Sequence, residues 1–409
     1  MAAPDTFLSD CSCKEPVDCK DDDLPPLLLN NLPSELLIYI SDFIDAKTII
    51  KSLMNVCQEF YDLFSCDSYW KQRISKRWPQ KYPAIHVDDF DWQEGCIIRE
   101  ETHRQWSNPD DHLDYFTYNE GLFAAVDTVH LMKNGSILAA GSRDRYLTIL
   151  DLDKYDKHRP ESKKEMTVYS DCKVHKGWIW SLDSVDSTLA TGSWDTFIRL
   201  WNVEAGCQPI TEFKCKSAVL SIHMEPGLIV AGGYDKKLYF IDPREGKISF
   251  KRFHRQPVLC VGADDNYIIT GSEDKTISIY DRRTSSVYKT VELENCYALD
   301  LSYGDNQLWF GDKEGQLHLM DATYGNFNTV ATYDVGHKGK LTGVKHTRGA
   351  VFTSSSDFHV NVLEPNINPS PITTLKEHKG DVTGISYLNG ILATSSCDIS
   401  IGIWRPKSY

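Results

Sequence analysis

The 409-residue chain is 41% hydrophobic and 25% charged, with a formal net charge of -14. That balance is ordinary for globular domains, and its acidity disfavours general binding to phosphate backbones, so no nucleic-acid partner is expected. No apolar run approaches the roughly 20 residues that cross a bilayer, and residues 1–10 lack the basic-then-apolar layout of a secretory signal. No membrane partner is therefore expected, and the chain belongs in a reducing compartment, the cytoplasm and/or nucleus.

Residues 1–23 are acidic and poor in aromatics, ending in Asp21-Asp22-Asp23. Such a segment buries too little apolar surface to offset its ordering entropy and is read as a disordered acidic tail. Cys11, Cys13 and Cys19 within it could form a metal or acylation site, but incidental thiols are the favoured reading. Among the twelve cysteines, Cys57, Cys66, Cys172, Cys207, Cys260, Cys296 and Cys397 are scattered without paired spacing. Zinc is not expected, and most should be small buried hydrophobes.

From 24 to 78 the pattern turns helical. Leu36, Leu37, Ile40, Phe43 and Ile44 recur at helical spacing after Pro33, which suits the first turn of a helix. A second set, Ile49, Ile50, Leu53, Val56, Cys57 and Phe60, keeps the same period, and Tyr69-Trp70 closes a third short helix. Residues 79–112 predict one more helix around Trp92, Cys96 and Trp106, broken at Asn108-Pro109. Their aromatic content predicts a structured helical linker.

From 113 to 409 the texture is short alternating strands between Gly, Ser, Asn and Asp. One phrase recurs seven times, as in ILAAGSRDRYLTILDL and TLATGSWDTFIRLWNV: an apolar strand, a Gly/Ser pair, a variable residue, an acid, and a second strand. The acids are Asp144, Asp195, Asp235, Asp274, Glu314, Asp357 and Asp398, at a period of about 40 residues, which predicts a seven-bladed all-β propeller. The last copy ends after its third strand, so Leu113–Tyr118, which alternates suitably, is predicted to supply the missing fourth. The insertion 154–165 is expected to be an exposed loop.

Each acid is expected to accept the backbone N–H groups its turn leaves unmet. In two copies the surroundings are richer: His175, Asp195 and Trp201, then His378, Asp398 and Trp404. These sets resemble the WD-repeat family, in which a His before the first strand bonds the turn Asp and supports the strand Trp. A catalytic His–Asp pair using Ser193 or Ser396 is conceivable. Recurrence around a ring favours the structural role, and no catalytic residue, metal or cofactor is assigned. Copies three to six lack the strand Trp and are expected to lose the full ladder.

The run Leu32-Pro33-x-Glu35-Leu36-Leu37-x-x-Ile40, then Val56-Cys57-x-x-Phe60 and Tyr69-Trp70-Lys71, resembles the F-box motif. With the repeats, the chain is similar to the F-box/WD-repeat family: a small all-α F-box domain (24–78), a helical linker (79–112) that sets the pose, and a propeller (113–409). The resemblance implies a non-catalytic substrate receptor of a cullin–RING ubiquitin ligase. Its partners would be the ligase adaptor subunit, the cullin scaffold and a target protein, while a scaffold without ubiquitin transfer is the alternative. Leu32, Pro33, Leu36, Ile40, Val56, Cys57, Phe60 and Trp70 would hold the adaptor. Target contacts would come from residues flanking the turn acids and the starts of first strands: Arg143, Arg145, Trp178, Trp180, Trp194, Tyr234, Lys236 and Lys275, with Glu273 and Lys313 beside them. Their basic members suggest an acidic or phosphorylated degron held by arginine forks.

Overall fold

The computed structural model describes residue 29, residues 32–294 and residues 296–407. The acidic tail with Cys11, Cys13 and Cys19 lies outside the described residues. Two compact units are distinguished, the first ending at Tyr69 and the second starting at Trp70.

The first unit contains α1 (Ser34–Ser41), α2 (Ala46–Lys51) and α3 (Gln58–Phe64). Pro33 stands as the N-cap of α1 in extended conformation rather than in its first turn, where its carbonyl accepts the N–H groups of Leu36 and Leu37. The second apolar set is not one helix. Asp45 caps α2 through the Thr48 N–H (2.9 Å), a 3-10 turn over Leu53–Asn55 follows, and Cys57, extended, precedes α3. The core here is Ala46, Ile49, Met54, Phe60, Phe64 and Tyr69, with a hydrogen bond between the Ser41 and Tyr69 hydroxyls (2.7 Å).

α4 (Asp67–Arg77), α5 (Trp92–Ser107) and α6 (Pro109–His112) follow. The buried face of α5 carries Cys96, Arg99, Thr102 and Trp106 at helical spacing. Trp106 joins the core formed by Phe352, Val362, Val382, Leu392 and Trp404, and Ala84 and Ile85 enter the neighbouring one with Trp309 and Val344. Arg99 is fully buried. It donates to Glu364 (3.1 Å) and Asn366 (2.7 Å) and lies 4.3 Å from the ring centroids of both Trp78 and Tyr82.

Seven four-stranded antiparallel sheets follow one another. Blades 1 to 6 cover 126–171, 179–214, 219–251, 258–292, 298–334 and 341–375, and blade 7 takes 382–406. A lone four-stranded sheet would expose its faces and edges, so the blades bury them against one another. The central strands are almost wholly buried, as in Leu189–Ser193 and Ile268–Ser272. Blade 7 is completed by Leu113–Tyr118, pairing from Leu113↔Pro406 to Tyr118↔Ile401. The insertion after blade 1's third strand is not an open loop. It forms α7 (Ser162–Glu165) with Ser162 and Met166 buried, and Lys163 donates to the Thr117 carbonyl (2.8 Å).

Candidate functional site: a helical apolar surface and a polarised propeller face

Small helices make one core and spend the rest of their apolar residues on the surface. Of the proposed adaptor residues, Leu36, Ile40 and Val56 are exposed, Pro33 is exposed, and Leu32 and Cys57 are half-buried. Phe60 and Trp70 correct the expectation: at 4% and 0% exposure they are core residues with no face to offer a partner. Tyr39, Phe43 (76% exposed) and Tyr61 join Leu36, Ile40 and Val56 at the surface, outside the expected adaptor set. Phe43 was legible as the next helical step after Ile40, and Tyr39 stacks edge-on against it at 5.3 Å.

The turn acids are held as a set of hydrogen bonds. In blade 2, His175 reaches Asp195 Oδ2 through Nδ1 (2.9 Å) and Thr191 Oγ1 through Nε2 (2.7 Å), and the Trp201 indole N–H donates to the same hydroxyl (3.1 Å). Asp195 also accepts the N–H groups of Lys176 and Phe197. Burial pushes its carboxyl up, but the bonds and charge from His175 and those N–H groups outweigh it and hold it well below the usual carboxylate range. Blade 7 repeats this with His378, Asp398 and Thr394, and Trp404 lies 4.7 Å from Tyr115 of the closing strand.

Blades 4 and 6, expected to lose the ladder, keep it without the Trp: His254–Asp274 with Thr270, and His337–Asp357 with Thr353. The missed signal was spacing, since all four pairs are 20 residues apart with the threonine 16 after the histidine. Blade 3 substitutes Tyr239 and Lys237 on Asp235. In blade 5 the expected acid, Glu314, is displaced by Asp312, which accepts the N–H groups of Glu314 and Gln316 and bonds His318 Nε2 (2.9 Å). Cys296, Asp312 and His318 bring three donor atoms within 4.8 Å of one another. The Asp312–His318 part is already spent on this turn bond.

The residue before each acid lies beside the start of its blade's first strand, as the bonds Arg143 N–Ala125 O, Trp194 N–Trp178 O and Cys397 N–Asp381 O show. Trp178, Trp180, Trp194 and Tyr234 form one aromatic group, with Trp194 5.9, 6.0 and 5.7 Å from the other three rings. Arg143 lies 5.5 Å from the Trp178 ring. Its Nε is shared between both oxygens of buried Asp127 (2.9 and 3.2 Å), and burial has raised that carboxyl to about 6 despite Arg143. Arg145, Lys236 and Lys275 stand instead at turn tips in left-handed conformation (φ 74°, 71° and 65°).

The WD domain, G-beta repeat model matches residues 166–202, 247–281 and 369–405. The F-box/WD repeat-containing protein 9 of Bos taurus is 37% identical over 86% of this chain and 76% of its own length; that of Homo sapiens is 37% identical over 85% and 76%. The F-box/WD repeat-containing protein mec-15 of Caenorhabditis elegans is 25% identical over 78% and 81%. A computationally designed protein, Ika8, superposes with a TM-score of 0.54 at 16% identity, over 70% of this chain and 98% of its own, a likeness of fold alone. Among the described residues no helix is long and apolar enough to cross a membrane.

Proposed function

Since the chain belongs to the F-box/WD-repeat family, we propose that it is the substrate-recognition subunit of an F-box-type cullin–RING ubiquitin ligase. The helical module binds the ligase adaptor, and through it the cullin. The propeller holds a target protein, and bond-making is left to other subunits. The chain raises the effective concentration of target lysines near the ubiquitin-carrying enzyme. It works in the cytoplasm or nucleus without a cofactor.

One observation carries this reading. Leu36, Ile40, Phe43 and Val56 are exposed on a module whose core is built from other residues, and such a patch marks an interaction surface. The aromatic group on the propeller supplies the second surface, of the residue types that dominate binding energy. The Nε of Arg143 is already bonded to both oxygens of buried Asp127, which leaves this arginine less charge to offer an acidic degron.

Co-purification tests the reading. The adaptor and cullin should come down with the full chain, and Leu36→Ala with Val56→Ala should weaken adaptor binding by roughly 10- to 100-fold per residue at about 2 kcal/mol each. Phe60→Ala should instead lower the melting temperature. Normal target capture with no adaptor bound to the wild-type chain would leave a scaffold outside ubiquitin transfer.

A further inference from the structure

Blade 5 departs from the repeat at three separate points of the chain. Asp312 pairs with Ala298 at the register that Ser193, Ser272, Ser355 and Ser396 hold in blades 2, 4, 6 and 7. His318 faces Phe310 where blades 2, 4 and 7 place Arg199, Ser278 and Gly402. Cys296 stands two residues before the first strand, the place of Gly177 in blade 2 and Gly380 in blade 7. These departures converge, since the thiol sulfur, a carboxylate oxygen and an imidazole nitrogen lie within 4.8 Å of one another. Among the described residues no other trio of Cys, His, Asp or Glu meets this closely.

The far side of each buried member is fixed in the way outer-shell partners hold metal ligands. Asp312 Oδ1 accepts the N–H groups of Glu314 and Gln316, both at 2.9 Å, and Oδ2 is left to His318 Nε2, also at 2.9 Å. His318 Nδ1 meets the Thr332 hydroxyl at 2.9 Å, and its ring stacks on Phe310 with centroids 4.5 Å apart and planes 4° from parallel. Cys296 is only half-buried, which gives a dissolved ion access. Around one tetrahedral zinc, with bonds of about 2.0–2.3 Å, ligand atoms stand roughly 3.2–3.7 Å apart. Asp312 and His318 therefore need to part only slightly, and the sulfur to move inward by about 1 Å at most. Thiolate, imidazole and carboxylate together select zinc over magnesium or calcium. Lys313 in the same turn opposes a cation, and Glu314, 3.7 Å from its Nζ, offsets it.

The cluster also fills a gap in the blade. In blades 2, 4, 6 and 7 the residue four before the first strand is a histidine that ties its loop to the turn acid. In blade 5 that residue is Glu294, which is exposed. We propose that Cys296, Asp312 and His318 bind one zinc ion, with water in the fourth position, and that the ion ties the entry loop of blade 5 to its turn. Without the ion Asp312 and His318 are joined to each other, and zinc takes the place of the proton between them. The thiol releases its proton to solvent, and Sγ, Oδ2 and Nε2 each bond the metal. The imidazole proton passes from Nε2 to Nδ1, where the Thr332 hydroxyl turns from donor to acceptor. The ion is a staple and takes no part in ubiquitin transfer. Cysteine spacing carries no sign of it, because the ligands come from a loop, a turn and a strand.

Titration of the reduced full chain with cobalt(II) and zinc tests it. Cys11, Cys13 and Cys19 are first changed to serine, so that tail thiols contribute no signal. Cobalt(II) should raise visible bands with thiolate charge transfer, saturating at one ion per chain. Zinc should displace it, and about a hundredfold excess of magnesium or calcium should not. Cys296→Ser should weaken zinc binding by more than the roughly 10–100-fold that losing an outer-shell partner costs, and Thr332→Val should fall within that range. Zinc should raise the melting temperature of the parent chain and leave that of Cys296→Ser unmoved. In the parent, nitrogen NMR should show His318 passing from the Nε2–H to the Nδ1–H form as zinc is added. No cobalt band, a band that survives Cys296→Ser, or displacement by magnesium overturns the proposal. Should Cys296→Ser melt well below the parent without metal, the His318 signal of the parent decides, and a ring unchanged by zinc overturns the assignment.

Discussion

A histidine 20 residues ahead of a turn aspartate decides more in this chain than the better-known tryptophan. In blade 4, Asp274 accepts from the N–H groups of Arg255 (2.7 Å) and Thr276 (3.1 Å) and from the Thr276 hydroxyl (2.6 Å), and it anchors His254 (3.1 Å). Removing it takes the shared acceptor from several donors at once, so Asp274→Ala should destabilise the chain by about 2–3 kcal/mol. Glu314→Ala, on a residue of the same sequence register whose part Asp312 has taken, should stay within about 0.5 kcal/mol. Urea unfolding midpoints check the pair; equal effects would put the turn's bonds in the wrong place. The glycine after the histidine has a reason as well. A Cβ on Gly177 would come 2.6 Å from the Asp195 backbone nitrogen, and one on Gly380 2.8 Å from that of Asp398. The H-x-G spacing thus lets the loop lie directly on the turn.

At the scale of elements, α5 is fixed to blade 6 by a buried charge. Glu364 receives Arg99 Nη2 (3.1 Å) and His103 Nδ1 (2.8 Å), and all three lie in the second unit. Breaking such a pair from one side leaves an uncompensated buried ion, so Glu364→Leu should cost about 3–5 kcal/mol, while Arg99→Met combined with Glu364→Leu should recover a large part of that. Thermal unfolding of the two variants measures the difference, and a double variant no better than the single one would remove the charge argument. Seven blades and the closing strand were readable in advance because each turn repeats the same chemistry and Leu113–Tyr118 alternates as the missing fourth strand requires. The linker's docking was not readable, since α5 shows which of its faces is apolar but not which blade covers it. Phe60 and Trp70 read as partner contacts through the F-box resemblance, which marks apolar positions without saying whether the chain itself buries them. The aromatic group was legible as residue types at turn positions, but the near-parallel setting of Trp178 and Trp180 depends on ring angles that no spacing rule carries. Blade 5's exchange of Glu314 for Asp312 needed the position of His318, which arrives from the next strand.

For the whole molecule, acid should loosen the ring. Burial holds the imidazoles of His175, His254, His337 and His378 below their ordinary 6.5, against the pull of their aspartates, and puts His346 at about 4. A group that takes its proton less readily folded than unfolded contributes stability above its unfolded value and loses it as pH falls toward the folded one. The turn aspartates share this sign lower on the scale. Burial lifts Asp195, Asp274, Asp357 and Asp398, but their hydrogen bonds and histidines hold each below 3.8. Asp127 and Asp300 act the other way. Burial raises both to about 6, so their contribution is full below 3.8 and is lost as pH rises through 6. Since the imidazoles outnumber these two carboxyls, the melting temperature should fall from about pH 7 to about pH 5. Calorimetry showing a flat or rising value across that window would count against the buried histidines as described.

The seam in blade 7 also sets a timetable for synthesis. Leu113–Tyr118 leaves the ribosome long before its partner Ile401–Pro406, a wait on the order of tens of seconds at about 5–20 residues per second. Until then the nascent chain holds an unclasped edge, the kind of surface on which chaperones and stray strands compete. A product broken off short of Ile401 never gains its clasp, so premature termination yields an open, degradable arc instead of a receptor with slightly fewer contacts.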